Sequence, residues 1–405
     1  MEKTSNKNII LILLLAILAR IFSIYFYGDY EIDMEWGVML SNLEENRLLS
    51  VRSVDGVPVP NIFMPPLYPI FLYAIKLIFQ DSEVFLKATL IIQLILSIFS
   101  IFIIYKILQQ LFSKKFSLLG TLIYSFFPLN IYAVSQISSI TLQMFLINVF
   151  IFSFIKIFKN FDLKNITLFS TSSALLILLR GEFFVFVILS LGYLFLNNFK
   201  NLWKITGIGL LIIMLISPYL YRNYKIFGVI TITKSSGYNL LKGNHPSTVV
   251  EGIGMFGDVG LIVPAVKDKM DKLKLKGPIK EHDLIKDKIL MDQAIKFIKE
   301  DPARYLKLYF KKFVAFMFID TNSNYPNYYS LPHIIPKVIL SITTILGLIL
   351  VFSFKFNIAN YFVLFYLSNI GLFSFFFILP RYSLSLLTIQ IILSLYCFDR
   401  TEKKI

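Results

Sequence analysis

The feature that most constrains this chain is a succession of long apolar runs separated by short basic stretches. A helix crossing a hydrocarbon core of ~30 Å needs about 20 residues, and its backbone must satisfy its own hydrogen bonds there. Runs that suit such helices fall at residues 8–27, 84–108, 116–134, 139–158, 166–179, 183–196, 203–220, 333–354, 358–379 and 382–398. They predict an all-α polytopic membrane protein with about 10 transmembrane helices, or about 10–12 if two ambiguous segments also cross. Composition agrees: 56% of the residues are hydrophobic and 16% are charged, against roughly a quarter charged in soluble domains. The first run is too long for a signal-peptide core and no small-residue cleavage site follows it, so it is expected to remain as a helix.

Two apolar segments read instead as interfacial helices. Residues 67–79 are too short to span and enter abruptly from Pro65-Pro66. Residues 305–319 carry Lys307, Lys311 and Lys312, which suits an amphipathic helix lying on the membrane. With both on the surface and Lys3 and Lys7 inside, the positive-inside rule holds in every loop. The cytoplasmic loops then carry Lys106, Lys114 and Lys115, then Lys156, Lys159 and Lys164, then Lys200 and Lys204, then Lys355, with Arg400, Lys403 and Lys404 in the tail. The outer side receives loop 28–69, turns 135–138, 180–182 and 380–382, and the long segment 222–332.

This pattern divides the chain into a transmembrane module (1–221) with an acidic first external loop (28–69), an external loop bundle (222–332) and C-terminal transmembrane helices (333–405). In the external bundle, 229–233 reads as a short β-like run and 284–298 as a helix packing through Ile285, Ile289, Ala294 and Ile298. The lysines and acids mixed through 267–288 read as a solvated, partly helical surface.

The net charge of +15 resides in lysines and arginines between apolar runs, which points to cytoplasmic anchoring rather than to nucleic acid. A single cysteine, Cys397, excludes an intramolecular disulfide and a Cys-based zinc site. His245, His282 and His333 are too scattered to suggest a His metal cluster. No metal ligands are assigned and no cofactor is required; a bound divalent metal is compatible with the sequence.

Against this basic background, loop 28–69 is an acidic island: Asp29, Glu31, Asp33, Glu35, Glu44, Glu45 and Asp55 face only Arg47 and Arg52. Read as a helix over 32–47, it has an apolar stripe of Ile32, Trp36, Met39, Leu40 and Leu43. At about 100° per residue, Asp33 and Glu35 fall on opposite edges of that stripe. A carboxylate beside an apolar surface at the membrane edge suits a general base that takes the proton of a hydroxyl; the plainer reading is a solvated acidic face. Arg180 and Glu182 interrupt two apolar runs in LLILLRGEFFVFVIL, either as a functional pair or as an interfacial salt bridge. Arg222, Arg381 and Lys242 fall on the same outer side, where cations match an anionic lipid head group or simply anchor the interface.

These stretches together resemble GT-C type glycosyltransferases of the dolichyl-phosphate-mannose protein mannosyltransferase and bacterial aminoarabinose transferase family (glycosyltransferase family 39-like). IDMEWGVMLSNL followed by PNIFMPPLYPIFLYAIKLIF is similar to their first external loop, and LRGEFF to their Arg-Pro-Glu turn, with Gly181 in place of proline. Arg222, Asn223, Phe227, Gly228, Gly237, Asn239, Gly243 and Asn244 match the family's Arg-Asn, Phe-Gly and Gly-Asn segment, and PRYSLSL its late Arg-Tyr turn.

The resemblance implies a GT-C-like fold and sugar transfer from a polyprenyl-phosphate-linked donor to a lipid, glycan or protein acceptor. It places that transfer on the outer face of the cytoplasmic membrane, with both termini inside, as in lipopolysaccharide or other cell-envelope glycan synthesis. An acid of the first external loop would be the base. The family's acid stands one turn before an aromatic, where this chain has Ile32 before Trp36, so the role passes to Asp33 or Glu35. Glu35 is preferred because a Glu-aromatic pair occurs in some bacterial members. Arg180, Arg222, Arg381 and Lys242 are expected to hold the donor phosphate, and Glu182, Tyr68, Asn239 and Asn244 to form substrate loops. A lipid-linked sugar flippase or other transporter is the alternative, though neither intramembrane ionisable residues nor internal repeats stand out in the sequence. A glycan polymerase or ligase would place its catalytic loop late in the chain, whereas here the acidic loop comes first.

Overall fold

The computed structural model describes residues 2–32, 34–251, 263–274, 277, 279–320, 330–352 and 357–399. α1 (Glu2–Tyr27) feeds the acidic loop and α2 (Met34–Asn46); a small hairpin of β1 (Ser53–Val54) and β2 (Val57–Pro58) follows. The hairpin turns on Asp55 and Gly56, both at positive φ (51° and 79°) as a tight turn of this hand needs. After Pro65-Pro66 come α3 (Leu67–Ile78) and α4 (Ser82–Leu111), the latter capped by Asp81, which accepts the Val84 N–H at 3.0 Å.

The bundle continues with α5 (Lys114–Phe126), α6 (Pro128–Ser135), α7 (Ser139–Lys159), α8 (Leu163–Leu179), α9 (Phe183–Asn197) and α10 (Leu202–Phe227). α10 stops on Gly228, whose φ of 71° is the left-handed conformation that favours glycine at a helix end. Next are α11 (Ser236–Asn244), α12 (Pro264–Lys274), α13 (His282–Glu300) and α14 (Pro302–Met317). α15 (Leu331–Val351), α16 (Ile358–Ser374), a 3-10 turn (Pro380–Leu386) and α17 (Leu387–Leu395) complete the chain.

Among the described residues, five helices are long and apolar enough to cross a membrane: α1, α4, α7, α10 with the short turn before it, and α15. α5 and α6 would make a sixth span, bent by 47°. The apolar run at 116–134 is therefore not one straight helix. Pro128 cannot donate an N–H, so carbonyls of the preceding turn lose helical partners. Asn130 donates to the Tyr124 carbonyl at 2.9 Å, and Arg20 of α1 donates to the Ser125 carbonyl at 3.0 Å. Likewise 382–398 is divided between the 3-10 turn and α17, while α3, α8, α9 and α16 are shorter apolar helices.

α7 lies between α4 and α8, and the core is aromatic there: Phe154 stacks on Tyr361 with ring centres 3.6 Å apart. The opposite kind of surface appears on α1 and α10, where Leu11, Leu18, Phe22, Leu210, Ile213 and Met214 are exposed, a wall suited to hydrocarbon.

Three local expectations change. Residues 229–233 form no strand; Asn223 instead donates to the Thr231 carbonyl at 2.6 Å, and the Lys234 N–H donates to the Ile62 carbonyl at 2.7 Å. α13 turns a partly polar face inward, with Asp283 and Asp287 buried beside Leu290 and Ala294 in a small core shared with Leu241 and Leu273. α14 is amphipathic, but Lys312 belongs to its buried face with Tyr305, Leu308 and Phe316, while Leu306, Phe310 and Val314 are exposed.

Candidate active site

Five connecting segments meet at one end of the bundle around a cavity of about 940 Å³. The loop after α1 supplies Asp29, Glu31, Glu35 and Trp36, and the α6–α7 turn supplies Gln136, Ser138 and Ser139. The α8–α9 turn gives Arg180, Gly181 and Glu182; the segment into α11 gives Thr231, Thr233, Asn239 and Lys242; and the late turn gives Arg381 and Tyr382. A cavity of this size accommodates a ligand of several rings. Its lining is mixed, with Phe184, Val185, Ile216, Leu220 and Ile230 forming an apolar side between α9 and α10.

Each wall is fixed by specific bonds. Asp29 ties the end of α1 to the α6–α7 turn: its N–H donates to the Ser135 carbonyl at 2.9 Å and its Oδ2 accepts the Ile137 N–H at 2.8 Å. Glu35, in the first turn of α2, is exposed toward the cavity, while Met39 and Leu40 of the same helix are buried. The expected stripe thus rests on protein: Trp36 packs edge-on against Tyr68, ring centres 4.8 Å apart. Arg180 is held by Glu182 (3.8 Å), by Ser139 Oγ (3.5 Å) and by the face of Tyr382 (5.6 Å).

Lys242 stands 4.4 Å from the centre of the Phe377 ring. Burial, then the charge of Arg381, lowers its pKa below the ordinary 10.5, and Glu35 acts in the opposite sense. Three cations, Arg180, Lys242 and Arg381, therefore share the cavity with four carboxylates, Asp29, Glu31, Glu35 and Glu182. Among the described residues no group of three His, Cys, Asp or Glu side chains converges as metal ligands do.

Three other expected site residues, Arg222, Tyr68 and Asn244, lie outside this lining. Arg222 donates to the Asn61 carbonyl at 2.7 Å and to Asn223 Oδ1 at 2.8 Å, so it fixes the wall instead of entering the cavity. Asn61 in turn accepts the N–H groups of Phe63 and Met64 at 2.8 and 2.9 Å, two residues that do line it. Asp283 completes this support, accepting the Ile62 N–H at 3.1 Å and pairing with Arg52 at 3.1 Å. Burial pushes the Asp283 carboxyl up, but the neighbouring His282 side chain, the Arg52 charge and the Ile62 N–H hold it below 3.8.

Tyr68 is fully buried and donates to Gln93 Oε1 at 3.4 Å; Asn244 donates to the Leu240 and Phe375 carbonyls, both at 2.8 Å. Asp33 lies outside the described residues. Sequence reasoning passed over Asp29 as a site residue because it sits on no periodic helix. The usable signal was its position two residues after the first span.

A family model described as dolichyl-phosphate-mannose-protein mannosyltransferase matches residues 64–221, less than half of the chain. No curated protein sequence matches significantly. Among solved structures, the archaeal oligosaccharyltransferase AglB from Archaeoglobus fulgidus, determined with an inhibitory peptide and a dolichol-phosphate, is similar in fold. The TM-score is 0.54 at 11% sequence identity, over 95% of this chain and 49% of AglB, so the chain spans about half the length of that protein. The chain thus shares the helical membrane fold of that structure, and its residues 64–221 carry the signature of the mannosyltransferase family model.

Proposed function

We propose that the cavity is the active site of an integral membrane glycosyltransferase that moves a sugar from a polyprenyl-phosphate-linked donor to a lipid, glycan or protein acceptor at the outer face of the cytoplasmic membrane. One observation carries this reading: five segments remote in sequence place three cations and four carboxylates around one space whose apolar side borders α9 and α10. Phe184, Val185 and Ile230 on that side are also exposed, which suits a lipid tail leaving sideways from a phosphate held inside.

In this mechanism Glu35 takes the proton of the acceptor hydroxyl, whose oxygen attacks the anomeric carbon with inversion. The bond from that carbon to the phosphate oxygen breaks, and polyprenyl phosphate leaves as its charge is met by Arg180, Lys242 and Arg381. Asp29, anchored on the Ile137 N–H, is the second carboxylate of the loop that faces the same space.

The test uses the full chain in lipid nanodiscs with polyprenyl-phosphate-linked sugars, measuring released polyprenyl phosphate. Glu35→Gln is expected to lower turnover by about 10²–10⁴-fold, the scale of general-base catalysis, while dolichyl-phosphate binding persists. Asp29→Asn and Asp33→Asn are assayed beside it. Full activity in all three variants contradicts a base in this loop.

A lipid-linked sugar flippase is the second reading: against the sequence expectation of no intramembrane ionisable residue, Arg20 and Lys337 are buried inside spanning helices, and the α5–α6 pair is bent. Movement of intact donor between leaflets without phosphate release identifies it.

A further inference from the structure

α14 sends one lysine into the protein interior. Lys312 is fully buried, and its ammonium donates to the Gly243 carbonyl at 2.6 Å, the Phe376 carbonyl at 2.7 Å and Asn244 Oδ1 at 3.4 Å. Gly243 is in the last turn of α11, where carbonyls lack helical partners and a cation is favoured by the helix dipole. Phe376 lies two residues beyond the end of α16. Asn244 bridges the same two segments by donating to the Phe375 carbonyl, and also donates to the Leu240 carbonyl within α11. The main chains approach closely here, since a Cβ on Gly243 would clash with the Phe376 carbonyl.

On the cavity side of this joint stand two cations. Lys242 immediately precedes Gly243, and Arg381 follows Phe376 and Phe377 on the opposing segment. Like charges at close quarters repel, so a rigid joint behind them is what holds both toward one anion. We propose that Lys312 is a positioning residue whose ammonium clamps α11 to the segment after α16 and so sets Lys242 and Arg381 as a pair for a lipid-linked phosphate. This rests on the lipid-phosphate reading of the cavity.

The experiment has a ligand-independent arm and a binding arm. In a Cys397→Ser background, spin labels at Ser247→Cys and Leu367→Cys report the distance between the end of α11 and α16. Lys312→Met is expected to broaden that distance distribution. It is also expected to weaken dolichyl-phosphate binding by about tenfold, the scale of one mispositioned charged contact. In the Lys242→Ala background the same substitution is expected to cost clearly less than in the wild-type chain, because part of its effect acts through Lys242.

A narrow, unchanged distance distribution in Lys312→Met, or a loss fully additive with Lys242→Ala, overturns the clamp. If Lys312→Met does not accumulate, Asn244→Ala removes the direct side-chain bond from α11 to the Phe375 carbonyl and the 3.4 Å bond from Lys312, while the lysine keeps its two carbonyl partners; smaller shifts in both readouts support the clamp and none overturns it. A wild-type chain that fails to bind dolichyl phosphate overturns the lipid-phosphate role, while the label distance still decides whether the clamp exists.

Discussion

Lys242 shows how much of the cavity's chemistry is decided by neighbours. Its ammonium is partly removed from water, repelled by Arg381 and attracted by Glu35, with the net effect a lowered pKa. A lowered lysine pKa means that the charge is lost as pH rises through a value below 10.5. Dolichyl-phosphate binding is therefore expected to fall on its alkaline limb at a lower pH than a free lysine would set. Glu35→Gln should move that limb lower still, and binding titrations from pH 7 upward check both; an unmoved limb separates Glu35 from Lys242.

At this scale Glu35, Arg180, Glu182, Lys242 and Arg381 were legible as charges at the outer ends of apolar runs or in the external loops, and Asn239 through the family resemblance; all six line the cavity. Arg222, Tyr68 and Asn244 carried similar signals and lie outside the lining. Whether an arginine at a helix end faces a cavity or its own loop depends on tertiary partners such as the Asn61 carbonyl, which no local pattern encodes.

Among the elements, the break between α5 and α6 was written in Pro128 but hidden by the unbroken apolar run around it. What makes the break tolerable is Arg20, whose guanidinium donates to Ser97 Oγ at 2.7 Å and to the Ser125 carbonyl at 3.0 Å. Arg20→Met fills the volume but strands those acceptors, each at a cost of about 1–3 kcal/mol. A clear drop in thermal stability in detergent is expected, and an unchanged melting temperature contradicts the assigned role.

α13 supports the site differently, through Asp283 beneath the Asn61–Met64 wall. Its carboxyl titrates below the unfolded value of 3.8, so its stabilisation is present above that pH and is lost as pH falls through the lower folded value. Asp283→Asn should therefore lower stability near neutrality and flatten the acid limb of a stability-versus-pH curve. An acid limb as steep as that of the wild-type chain contradicts this account. Periodicity did indicate a helix here, but the inward face was missed because two acids that normally seek water are satisfied by backbone N–H groups and Arg52.

For the whole molecule, apolar runs and loop charge were enough to indicate a helical membrane protein, because the lipid core leaves a chain few other solutions. The positive-inside pattern also grouped five segments on one side, and the structure brings residues from all five around a single cavity. The division of apolar runs into five long helices, one bent pair and several shorter helices was less legible, since packing inside the bundle allows helices too short to cross alone.

The most direct test of the proposed site is dolichyl-phosphate binding to the purified full chain. Arg180→Ala, Lys242→Ala and Arg381→Ala are each expected to weaken binding by about tenfold or more, as loss of a phosphate-directed cation does. Arg222→Ala should leave the affinity of the folded fraction nearly unchanged. Equal losses in all four, or a loss confined to Arg222→Ala, would contradict the assignment of this cavity to the lipid phosphate.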